Sequence, residues 1–121
     1  MPQDRPHLTV SNRDGICFVE LADRKILEEL SINEIGEELA GLVNQHKPIN
    51  LLLDFKHVQH LSSAALGMLI TLNKHVIENS GRLKLSNINP QIFEVFKITR
   101  LNKVFDIFET AAAAKTSFAG A

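Results

Sequence analysis

The sequence predicts an α/β domain in which strands and helices alternate along one chain. Three observations carry that prediction. Asp14-Gly15 separates two strand-like runs, several segments repeat apolar residues at helical spacing, and an unbroken apolar triplet, Leu51, Leu52 and Leu53, runs into Asp54. The order reads β-β-α-β-α-β-α-β-α, about five strands and four helices. A length of 121 residues with 45% hydrophobic content suits one domain with a core that needs neither metal nor disulfide.

Residues 1–6, with two prolines and two charged residues, predict a flexible lead-in. HLTVSN and ICFVEL, joined through Asp14-Gly15, predict a hairpin of strands over 7–12 and 16–21. The charged stretch 22–31 fits neither period and is read as a loop. Ser31 with Glu34 matches a capping box, and Ile32, Ile35, Leu39, Leu42 and Val43 follow at helical spacing, which predicts a helix over 32–45 stopped by His46-Lys47-Pro48. The triplet then forms a strand over 50–55, apolar without alternation, as a mid-sheet strand buried on both faces requires. A helix over 63–79 follows the doublet Ser62-Ser63 and ends at Ser80-Gly81. Leu83 and Leu85 alternate in a strand over 82–86. Pro90 opens a helix over 90–98, residues 105–108 form a last strand, and the alanine run predicts a helix over 110–115. Residues 116–121 are read as a frayed tail.

Composition narrows the function classes. Thirteen basic residues against 14 acidic ones produce no field that favours nucleic acid. The lone cysteine, Cys17, sits in an apolar run and reads as a buried thiol suited to a reducing compartment. The N-terminus lacks the pattern of a secretory signal, and no segment reaches the roughly 18 apolar residues of a membrane span, so a cytoplasmic location without membrane insertion is expected. Seven Phe and no Trp or Tyr point to aromatic residues spent on the core.

The stretch 51–74 carries the chemistry: strand, polar loop, capped helix. A serine in the first turn of a helix lies beside backbone N–H groups without intrahelical partners, where an added phosphate is electrostatically favoured. Ser63 is the candidate phosphorylation site, with Ser62 the weaker alternative; the bland reading is that either serine merely caps the helix. Ala64, Ala65 and Gly67 keep that first turn slim, which suits either close approach by a partner or packing on the sheet. His57 and His60 lack a supporting cysteine and have only Asp54 as a nearby carboxylate, so they read as solvated loop histidines, and no metal or cofactor is expected. A triad of Ser63, His60 and Asp54 would crowd three members onto one short loop without the glycine of a nucleophile elbow, and neither phosphate-loop pattern occurs. Enzyme chemistry is not expected.

At LLLDFKHVQHLSSAALGMLITLNKHV and SGRLKLSNINPQIFEVFKITRLNKVFDIF the chain resembles the STAS domain, the module shared by sulfate transporters and anti-sigma factor antagonists. The resemblance covers about residues 7–115, with Leu66-Gly67 setting its register. Ser63 falls on the position phosphorylated in the antagonists, Ser62 on one that is often Asp, and Ala65 on one that is Gly. Asp54 matches the aspartate ending the central strand, and Glu28 falls where many members carry Asp. The resemblance implies a mixed, mostly parallel sheet with helices largely on one face, and a partner-switching function. In that scheme the unphosphorylated protein binds an anti-sigma factor that is also a serine protein kinase; phosphorylation ends the binding and a phosphatase restores it. Glu28, Asp54, His57, His60, Ser62, Ala64 and Gly67 would line the phosphosite and partner surface, and a weak homodimer is compatible with the scheme. Two other functions fit the same residues: a constitutive scaffold or adaptor subunit of a signalling or transport complex, and a module that binds a small anionic ligand or lipid head group under the loop.

Overall fold

Asp14 and Gly15 both take positive φ, 54° and 76°, as a two-residue hairpin turn requires. They fold β2 (Leu8–Arg13) antiparallel onto β3 (Ile16–Leu21), with Arg13 opposite Ile16. The computed structural model describes residues 3, 4 and 7–119. Within the expected lead-in, β1 (Gln3–Asp4) pairs antiparallel with β2; the rest of that lead-in lies outside the described residues.

From β3 the chain passes through β4 (Lys25–Ile26) into α1 (Glu29–Gln45), then β5 (Asn50–Asp54), β6 (His60–Leu61), α2 (Ser63–Glu78), β7 (Arg82–Ser86), α3 (Pro90–Ile98), a 3-10 turn (Leu101–Lys103), β8 (Asp106–Phe108) and α4 (Ala111–Ala119). The main sheet has the order β1-β2-β3-β5-β7-β8, parallel from β3 through β8 and antiparallel at the hairpin. The expected mid-sheet strand is thus β5, whose side chains serve two cores. Leu51 and Leu53 join Val10, Val19, Leu83 and Leu85 beneath α1, α2 and α3. Leu52 faces the other way, with Ile16, Ala114 and Phe118 under α4.

Four expectations need correction. Residues 22–31 are not all loop: β4 pairs parallel with β6, Ile26 is fully buried, and α1 begins at Glu29. The Ser31–Glu34 capping box is therefore not the helix start. Ser31 lies inside the helix, Glu28 occupies the cap position without a side-chain cap, and the burial of Ile26 and Ile32 on either side decides where the helix begins. The helix after Ser62-Ser63 ends as expected, but the left-handed residue is Ser80, φ 62°, not the glycine. Gly81 is needed for close approach: a Cβ there would stand 2.5 Å from the Ile49 carbonyl oxygen. Last, the tail does not fray at Thr116. Helix α4 continues to Ala119 because Phe118 is buried against the sheet, where Arg82 and Lys84 lie 5.3 and 5.1 Å from its ring centroid. Residues 120 and 121 lie outside the described residues.

Candidate functional site

The carboxyl ends of β5 and β7 anchor a loop that carries the chain from Asp54 to the start of α2. Asp54, 3% exposed, accepts hydrogen bonds from the Lys56 amide at 2.8 Å and from Asn87 Nδ2 at 3.1 and 3.2 Å. Asn87, in the left-handed region at φ 56°, thereby ties the end of β7 to the end of β5. Phe55 and Val58 are buried, so the loop is nailed down by apolar side chains as well. Asn89 holds it from a third side: it accepts the Ile92 amide as the N-cap of α3 and donates Nδ2 to the Val58 carbonyl at 3.1 Å.

The far end of the loop is fixed chiefly by backbone hydrogen bonds. Gln59 N and His60 N donate to the Arg24 carbonyl at 2.7 and 3.1 Å, and Ser62 N donates to the Ile26 carbonyl at 3.1 Å. This short parallel pairing of β4 with β6 sets the starts of α1 and α2 side by side, because each strand leads directly into its helix.

At that place the two serines separate. Ser62 is the N-cap of α2, and its Oγ accepts the Ala65 amide at 3.2 Å. Ser63, the first helical residue, is exposed, and its hydroxyl makes no hydrogen bond within the described residues. Ala64 and Gly67 are exposed beside it, and a Cβ on Gly67 would meet nothing within 4 Å; Ala65 is fully buried. Beside the start of α2, where Ser62 N donates to the Ile26 carbonyl, the chain enters α1 through exposed Glu28, with Leu27 and Leu30 exposed as well.

Not every residue singled out from the sequence joins this surface. Asp54 is buried and engaged in holding the loop. His57 lies 3.5 Å from half-buried Glu20, which also receives Lys56 at 3.7 Å, a cluster at the end of β3. His60 is exposed on β6 and bonds neither Ser63 nor Asp54, so the three do not form a relay. Among the described residues no group of three or more His, Cys, Asp or Glu side chains is placed to hold a metal ion. Glu20, Asn87 and Asn89 were not singled out from the sequence. The Asn-Pro pair at 89–90 is a recognisable helix cap, whereas the tie from Asn87 to Asp54 depends on strand pairing across the sheet and has no local signal.

Comparison with known proteins agrees with this architecture. A family model described as the STAS domain matches residues 8–114. BtrV of Bordetella bronchiseptica, provisionally described as an anti-sigma factor antagonist, is 25% identical over 111 residues that span 92% of this chain and 93% of BtrV. An anti-sigma factor antagonist domain protein from Planctomyces limnophilus superposes with a TM-score of 0.79 at 18% identity, covering 91% of this chain and 95% of that one. The Bacillus cell fate determinant SpoIIAA in its phosphorylated form superposes with a TM-score of 0.68 at 14% identity, covering 91% and 98% of the two chains. The two structural likenesses establish the fold.

Proposed function

The chain belongs to the STAS domain family, and on that premise we propose that it is a non-enzymatic, cytoplasmic binding module that antagonises an anti-sigma factor and is switched by phosphorylation of Ser63. The observation that carries this reading is the division of labour between the serines: Ser62 is used as the helix cap, while Ser63 stands exposed with a free hydroxyl. A phosphate on Ser63 adds about −1.5 to −2 charges at neutral pH beside the unpartnered N–H groups of the first turn of α2, which stabilise it in place. The same charge opposes an acidic or apolar partner surface.

The partner in this reading is an anti-sigma factor with serine kinase activity, and a phosphatase resets the switch. Its contact surface comprises Glu28, Ser62, Ala64 and Gly67 around Ser63, and exposed His57 and His60 lie on the loop that leads to it. Asp54 acts one step back, by holding the loop. Support also comes from the relatives, one described as an anti-sigma factor antagonist and one solved in a phosphorylated form.

Incubation with such a kinase and ATP, followed by mass spectrometry, is expected to place one phosphate on Ser63 and none on a Ser63→Ala variant. Ser63→Asp is expected to weaken partner binding tenfold or more, about 1.4 kcal/mol. Phosphate incorporated equally by the alanine variant would refute the site. Unchanged affinity of the aspartate variant would favour a constitutive adaptor instead.

A further inference from the structure

The face of the sheet opposite α2 is only partly covered. Helix α4 lies over β5, β7 and β8 and meets the hairpin through Ile16 and Asp14. The gap is a cavity of about 180 Å³. Its floor is apolar: Ile16 and Leu52 are buried, Phe18 is half-buried, and Ala111 closes one wall. Strand register explains the grouping, since Phe18 stands opposite Leu52 and Ile16 opposite Arg13, all on one side of the sheet.

The mouth is basic. Arg13 and Lys115 are the two charged residues that line it. Lys115 makes an exposed ion pair with Asp14 at 3.1 Å, an interaction weak enough for a ligand oxygen to share. The Arg13 guanidinium has no hydrogen-bond or ion-pair partner within the described residues, which leaves its planar fork free for a carboxylate. An apolar floor of this size accommodates about six heavy atoms at about 30 Å³ each.

We propose that this cavity binds a small aliphatic carboxylate, with its chain on Ile16, Phe18 and Leu52 and its carboxylate on Arg13 and Lys115. The site is separate from Ser63, which lies on α2 across the sheet, so its occupancy leaves the serine accessible.

Amide NMR of the full chain titrated with hexanoate tests the proposal, with hexylamine and 1-hexanol as matched probes. Hexanoate is expected to produce saturable shifts at Arg13, Ile16, Phe18, Leu52, Ala111 and Lys115, and hexylamine none. Arg13→Gln, an exposed hairpin substitution, is expected to weaken hexanoate binding about tenfold, as loss of a charged hydrogen-bonding partner does. Shifts that never saturate, that lie elsewhere, that hexylamine or 1-hexanol reproduces at equal affinity, or that survive Arg13→Gln unchanged would overturn it. None of those outcomes bears on phosphorylation of Ser63.

Discussion

His7 joins three elements through one ring. Its Nδ1 lies 2.9 Å from Asp23 in the loop after β3, and its Nε2 lies 3.2 Å from Glu34 on α1. Burial pulls its pKa down, but the hydrogen bonds to Asp23 and Glu34, helped by the charges of Asp23 and Glu38, more than offset this and raise it above the ordinary 6.5. The folded protein therefore holds this proton more tightly than the unfolded chain. The resulting stability is complete below the unfolded value and fades as pH rises through the folded one. Urea unfolding across about pH 6 to 8 is expected to show wild type losing its advantage over His7→Gln as pH rises; an advantage that stays constant would refute the linkage. None of this was legible from His7 in the sequence, because its carboxylate partners are 16 and 27 residues away. Ser62 and Ser63 were legible, since capping is a local event, although the choice of which serine caps was decided by the geometry of the first turn.

At the scale of elements, the helices and strands with strong periodicity lie where the pattern places them. The runs 16–21, 82–86 and 90–98 coincide with β3, β7 and α3. The elements that diverge depend on distant partners. Strand β4 is two residues long and exists because β6, across 35 residues of chain, pairs with it. Helix α4 outlasts its alanine run because Phe118 finds a place beside Arg82 and Lys84 on β7. Phe118→Ala is therefore expected to destabilise the protein by about 3 kcal/mol, as loss of a buried ring does, with a lower midpoint in urea unfolding. A change under about 0.5 kcal/mol, the range of an ordinary surface substitution, would show that the end of α4 contributes little.

At the scale of the molecule, β5 divides the protein into two cores, and that division separates the sites. Ser62 belongs to the side of α1 and α2, and Phe118 to the side of α4. Ser62→Ala alone is expected to cost about 1 kcal/mol through the lost cap. Combined with Phe118→Ala, the two costs are expected to add within about 0.5 kcal/mol, because the residues share no contacts. A larger coupling in the double-mutant cycle would mean that the sheet transmits strain between its faces. Such coupling would also link the cavity beside α4 to the serine surface.

The sequence by itself determined the alternation of elements, the buried central strand and the serine pair at a helix start. Each of these rests on interactions between residues close in the chain: hydrophobic period, turn chemistry and capping. The tertiary structure decided the rest. The tie from Asn87 to Asp54, the short strand pairing that sets Glu28 beside the start of α2, and the burial of Phe118 all join residues more than 25 positions apart. Long-range pairing leaves no periodic trace in sequence, so only the folded chain shows that Ser62 closes the helix while Ser63 remains exposed.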